Sequence, residues 1–267
     1  MSTGDAWRLD ASGGVTVLRC RALDALEVPH AFSTRRDGDR DDFDLGPAEP
    51  EEPRFVERRG RLAAAAGVPG SMPVLLRQVH EARMVPSRLI DPPEEADASY
   101  ALSPELGGSA TDLLPAVRTA DCVPILLADR AGRAVAAVHA GWRGTAAGIA
   151  TKAVMELARL GVPPIELVAA IGPCIGPSSY EVSAEVAEQV ACTSGEDFSA
   201  PAGEPGKRML DLARANRRQL SWSGLEEGNI HVAPFCTALR SDLFFSYRRD
   251  GAAAGRMMAL AGLPARA

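Results

Sequence analysis

Two imidazoles and one thiol are the side chains of this sequence best suited to a soft metal. They are His80 in Gln78-Val79-His80, Cys122 in Thr119-Ala120-Asp121-Cys122, and His139 at the head of His139-Ala140-Gly141-Trp142-Arg143-Gly144. Three protein ligands are what a catalytic zinc ion takes, with the fourth position left to water or substrate, and such a water has its pKa lowered toward about 7. The same atoms have a metal-free use, with Cys122 as nucleophile and His139 as its base. Asp121 either orients an imidazole from behind or simply closes a strand. Arg143 lies in a glycine-flanked turn opening a helix. There its guanidinium and the backbone amides suit a phosphate, although a solvated arginine is the ordinary occupant of such a position. Gly172-Pro173-Cys174-Ile175-Gly176 is a tight turn that admits close backbone approach, with Cys174 a weaker second nucleophile. Tyr247-Arg248-Arg249-Asp250 is either a further anion contact or a surface charge run.

The elements that position these groups follow from apolar runs and breakers. Val123 to Leu127 and Ala137 to Ala140 are apolar arms joined by the polar link Asp129-Arg130-Ala131-Gly132-Arg133, which reads as a β-hairpin. A turn centred on Arg130 and Ala131 places Cys122 opposite His139 on one face, with Cα atoms roughly 4.5–5.5 Å apart. Further strands are expected at 15–19, 29–35, 74–80, 96–100, 113–119, 166–171, 230–232 and 256–261. Loops are expected at 36–52 and 91–95. Helices are expected at 53–66, with Pro53 in the first turn; at 144–160, with Ile149, Ala153, Leu157 and Leu160 as its apolar stripe; at 183–190, capped by Ser183; and at 209–222. No internal repeat or interdomain linker interrupts residues 1–267, so the reading is one α/β (α+β) domain with mixed β-sheets flanked by helices.

Composition narrows the function classes. The sequence is 46% hydrophobic and 24% charged, values of a soluble globular protein. A net charge of -6 argues against a nucleic-acid partner but leaves room for a local arginine cluster. The five cysteines are scattered, with no Cys-x-x-Cys pair, which fits reduced thiols in a cytoplasmic setting. The first ten residues have no apolar core of a signal peptide, and no apolar run is long enough for a membrane span.

The runs QVH, TADCVPILLAD, HAGWRG, IGPCIGPSSYEV and FFSYRRDG, in this order, resemble the family once called multicopper polyphenol oxidase or laccase-domain proteins. Its members are now described as purine nucleoside phosphorylases with adenosine deaminase activity. The resemblance implies an α/β fold and one zinc ion held by His80, Cys122 and His139. It implies purine nucleosides (adenosine, inosine or methylthioadenosine) and phosphate as substrates. It makes Arg35, in the run His30-Ala31-Phe32-Ser33-Thr34-Arg35, a phosphate contact beside Arg143. An editing role in peptidoglycan-precursor formation has also been proposed in this family and stays open, as does the metal-free cysteine hydrolase. The sequence departs from the family pattern at Glu81, where glycine is common, at Asp44, where asparagine is common, and at Ser178 and Ser179, where cysteines often stand. Multicopper oxidases need many imidazole ligands, and four histidines are too few for laccase chemistry.

Overall fold

The computed structural model describes residues 6–47, 52–89, 92–109 and 113–265; the expected loops at 36–52 and 91–95 lie partly outside them. Strands Val123–Asp129 and Ala134–Ala140 are buried at every position, the pattern of strands covered on both faces. They form the middle of a six-stranded sheet ordered Ile230–Val232, Leu167–Ile171, Val123–Asp129, Ala134–Ala140, Ala98–Leu102 and Met84–Pro86. A five-stranded sheet runs Trp7–Asp10, Val15–Cys20, His30–Asp37, Met257–Ala261 and Ala116–Thr119.

The two sheets pack face to face. Leu126, Ala128, Val135 and Ala137 of the first share a core with Leu18, Phe32, Val117 and Ala259 of the second. Period-two alternation sends Ile125, Leu127, Ala136 and Val138 to the opposite face. There they meet helices Ile149–Arg159, Ala184–Ser194 and Leu212–Trp222. Helix Pro53–Ala65 covers the outer face of the five-stranded sheet through Leu62 and Ala63, against Val15, Val17, Ala31 and Leu260. The result is a mixed α/β architecture, layered helix–sheet–sheet–helix.

Several local expectations are corrected. The hairpin turns one position later than a centre on Arg130 and Ala131: Gly132 takes the left-handed conformation at φ 68°, and His139 pairs with Pro124. This register differs from the expected one by two, so every side chain keeps its face, but Cys122 lies just before the paired strand instead of opposite His139. Residues 74–80 do not form one strand. Only Met72–Pro73 and an isolated bridge at Arg77 pair there, because the amides of Val79 and His80 are taken by the Asp97 carboxylate. The expected helix at 144–160 is broken at Gly148 (φ 74°) into Trp142–Ala146 and Ile149–Arg159. The expected helix at 209–222 begins at Leu212. Asp211 caps it by accepting from the Arg214 amide at 3.0 Å, while Lys207–Leu210 is a strand.

Leu127 is fully buried, whereas Met155 on helix Ile149–Arg159 is 63% exposed. Leu127→Ala should cost about 2–5 kcal/mol of unfolding free energy, and Met155→Ala should change it by no more than about 0.5 kcal/mol. Urea denaturation of both variants checks this.

Candidate active site

The three metal-suited residues arrive on separate segments. His80 ends the extended stretch after Met72–Pro73, at φ 62°, and Asp121, just before Cys122, stands at φ 91°. Non-glycine residues in the left-handed region cost of order 1–3 kcal/mol each and persist only where neighbours hold them. Asp97 holds His80. Its fully buried carboxylate accepts the amides of Val79 (3.2 Å), His80 (3.0 Å) and Glu81 (2.8 Å), and Nδ1–H of His139 at 2.8 Å. The His139 amide donates to the Asp97 carbonyl at 2.7 Å. Burial alone would raise the Asp97 carboxyl, but its donors, His139 foremost, hold it below the ordinary carboxylate value. Since the ionised carboxylate takes the Nδ1 proton, Nε2 of His139 is the nitrogen left to face the centre.

One nitrogen each of His80 and His139 and Sγ of Cys122 all lie within 4.8 Å of one another. The two rings meet edge to face, centroids 4.9 Å apart. Gly141 closes this cradle: a Cβ there would stand 3.1 Å from Cys122 Sγ and 3.2 Å from His80 Cδ2. Two imidazoles and a thiolate fit zinc or a similar borderline ion, whereas calcium and magnesium call for oxygen ligands. Burial would raise the Cys122 thiol, but the charges and hydrogen bonds of His139 and His80 pull it down to about 6. Burial would lower His139, but Cys122 and Asp97 push it up to about 9. Without metal, the centre holds a thiolate against an imidazolium near neutral pH, and a divalent cation displaces the proton between them.

A cleft of about 510 Å³ opens over this centre. Its polar lining includes Arg118, Asp121, Arg143, Arg248 and Arg256, and its flat walls are Trp142, Tyr180 and Tyr247. Arg143 stacks over Trp142 with its guanidinium carbon 4.3 Å from the ring centroid, and Arg248 donates to the Glu181 carbonyl at 3.0 Å. The Asp121 carboxylate does not reach an imidazole. It accepts Thr237 Oγ1–H (2.5 Å), Ser246 Oγ–H (3.0 Å) and the Arg248 amide (2.6 Å), pinning the C-terminal segment over the cleft.

The structure therefore brings His80, Cys122, His139, Asp121 and Arg143 together and leaves Arg35 outside the cleft lining. The Arg35 guanidinium donates to the carbonyls of Asp41 (3.0 Å) and Ser241 (3.1 Å) and lies over Phe245, linking two loops. Cys174 is buried, its thiol pushed far up by burial. Of the Tyr247–Asp250 run, Tyr247 and Arg248 face the cleft, while Arg249 binds the carbonyls of Thr237, Ala238 and Phe244. Asp97, Arg118 and Arg256 were not singled out by sequence. The only signal for Asp97 was an acid at the mouth of an otherwise small and apolar strand.

Residues 29–264 match the sequence profile of the family described as multi-copper polyphenol oxidoreductase laccase. The chain belongs to that family. A purine nucleoside phosphorylase of Deinococcus radiodurans is 38% identical over 251 residues, covering 90% of this chain and 91% of that protein. Purine nucleoside phosphorylase YfiH of Escherichia coli is 37% identical over 214 residues, covering 79% and 82%. The crystal structure of YlmD from Geobacillus stearothermophilus aligns with a TM-score of 0.84 at 29% identity, over 97% of this chain and 99% of that one. The several coppers in the family's descriptive name do not fit the ligand count of this member, which offers one His–Cys–His set among the described residues. Of the four histidines, His30 is buried between the Cys20 amide and the Val28 carbonyl. His231 is not among the cleft lining, which leaves two imidazoles.

Asp97→Asn removes the charge that orients His139 and should weaken metal affinity about 10–100-fold, measured by competition against a chromophoric chelator. In the metal-free protein the Cys122 thiolate should be present above about pH 6 and protonated below it. The ultraviolet thiolate absorbance, taken as wild type minus Cys122→Ser, should accordingly fall as pH drops through that value.

Proposed function

We propose that this protein is a zinc-dependent purine nucleoside phosphorylase, acting on adenosine, inosine or methylthioadenosine with inorganic phosphate, and that the same centre deaminates adenosine. The reading treats the chain as one domain at work in the reducing cytoplasm. One observation carries it: a His–Cys–His cradle and four arginines without carboxylate partners share one cleft. Arginines elsewhere are commonly matched, as Arg61 is with Asp37 and Arg133 with Asp129. Among described residues, Arg118, Arg143, Arg248 and Arg256 have no such ion pair. The one acid in the lining, Asp121, is occupied by three donors. A cleft so charged attracts a dianion against the net charge of the whole chain.

The residues divide the work. Arginine forks hold phosphate oxygens bidentately and fix their direction, which turns a bimolecular attack on the anomeric carbon into an oriented one. Trp142, Tyr180 and Ile175 provide the flat apolar surface a purine needs. His80, Cys122 and His139 would hold the zinc ion, which would supply the Lewis acidity that hydrolytic removal of an amino group requires. Asp97 keeps the His139 nitrogen facing the centre throughout.

The test is to incubate purified protein with each nucleoside, with and without phosphate. Free base and ribose 1-phosphate should form only with phosphate, and inosine should form from adenosine in its absence. Base release independent of phosphate would refute phosphorolysis. Arg143→Ala should raise the apparent KM for phosphate roughly 10–100-fold, the worth of one charged hydrogen-bonding group.

The thiolate–imidazolium pair also favours a second reading, a metal-free cysteine hydrolase. The two part at His80, which a Cys–His pair does not need. His80→Ala and Cys122→Ser should lose zinc and turnover together, read by elemental analysis beside nucleoside assays. Full turnover in zinc-free His80→Ala would establish the hydrolase instead.

A further inference from the structure

Arg118 and Arg256 stand apart from the metal cradle: Arg118 is on strand Ala116–Thr119 of the five-stranded sheet, and Arg256 immediately precedes its strand Met257–Ala261. Arg118 pairs with Met258, and Arg256 lies two residues before Met258, so period-two geometry sends both side chains to one face. Both are half-buried and both line the cleft. Among the described residues their side-chain hydrogen-bond partners are neutral. Arg118 donates to the carbonyls of Gly46 (3.3 Å) and Leu76 (2.9 Å), and Arg256 to those of Ala254 (2.5 Å) and Gly255 (3.2 Å). Asp44, which borders them, spends Oδ1 on the amides of Gly46 and Arg256.

The surroundings of Arg118 are also positive: burial pulls its guanidinium down to about 10, and Arg59 and Arg256 add to the fall. A half-buried cation among cations is costly unless an opposite charge joins it. The scaffold nevertheless fixes Arg118 firmly, since the Gln78 side chain bonds both its amide and its carbonyl at 2.8 Å. Two guanidinium forks facing an open cleft, with no ion-paired carboxylate among the described residues, match the oxygens of a tetrahedral dianion.

We propose that Arg118 and Arg256 form an oxyanion seat distinct from Arg143, taking a phosphate group carried either as inorganic phosphate or as the 5′-phosphate of a nucleotide. The free-phosphate form rests on the phosphorylase reading; the seat itself does not.

The experiment has two arms. Inorganic phosphate and inosine 5′-monophosphate are titrated separately, by calorimetry, into the zinc-loaded wild type, Arg118→Gln, Arg256→Gln and the charge-keeping Arg118→Lys. In parallel, the wild type is crystallised with inorganic phosphate, which locates the bound anion even if a variant fails to fold. Affinity for at least one ligand should fall roughly 10–100-fold in each glutamine variant, and the crystal should show phosphate on both guanidinium groups. The ligand that loses affinity identifies the source of the phosphate. Unchanged affinities in folded variants, phosphate seated elsewhere, or phosphate seen only in crystals without a calorimetric signal would each overturn the seat. Phosphorolysis with an unchanged phosphate KM in both glutamine variants removes the seat and keeps the phosphorylase. Phosphate or nucleotide bound on Arg118 and Arg256 without release of purine base does the reverse.

Discussion

The buried carboxylate of Asp97 is the constraint on which the centre depends. It accepts three consecutive amides at Val79, His80 and Glu81 and the Nδ1 proton of His139, while its own carbonyl takes the His139 amide. Hydrogen bonds to a charged group are each worth about 1.5–3 kcal/mol, enough in sum to hold His80 in a backbone region that is costly for a histidine. Remove the charge and two of the three proposed ligands lose their register at once. The third, Cys122, is placed by the hairpin and would remain, but a lone thiolate is a poor metal site.

Asp121 does for the C-terminal segment what Asp97 does for the cradle. Its carboxylate gathers Thr237, Ser246 and the Arg248 amide, and its carbonyl takes the Ile175 amide at 2.9 Å. The wall carrying Tyr247 and Arg248 is thereby fastened to the residue next to Cys122. Both acids act through geometry: each is engaged by several donors and serves to position them. The positive character of the cleft follows, because the acid among its lining residues is already spent.

The layered fold and the identity of the cradle were legible in sequence; the register and the orienting groups were not. Apolar runs announced residues 123–127 and 137–140 as the two arms of a buried hairpin, which the structure extends to Val123–Asp129 and Ala134–Ala140, and all three cradle residues could be named. The hairpin centre was missed by one position because Gly132, not Ala131, meets the left-handed requirement of the turn. Residues 74–80 read as a strand because four of their side chains are apolar, yet a distant carboxylate captures the amides of Val79 and His80, a long-range contact that no local pattern encodes. Asp97 escaped for the same reason. Arg35 shows the converse: its place in a family motif suggested phosphate, while its guanidinium meets two backbone carbonyls and the Phe245 ring outside the cleft lining.

The site also explains how one end of a rigid sandwich can carry strain. Its residues come from several separate stretches, among them those around His80, Cys122, Trp142, Tyr180 and Tyr247, rooted in or beside a core of fully buried strands. Such a scaffold is stiff, so left-handed residues and unmatched arginines at its rim are held in place by packing far from the cleft. The chemistry then varies with the rim alone. A Glu at position 81 presents its charge to solvent while its amide stays on Asp97. Asp44 uses its carboxylate as an amide cap that fixes the backbone of Arg256. Both departures from the family pattern thus keep the metal cradle intact. Asp44 acts on the arginine end of the cleft, so any difference in substrate choice from its relatives should originate there.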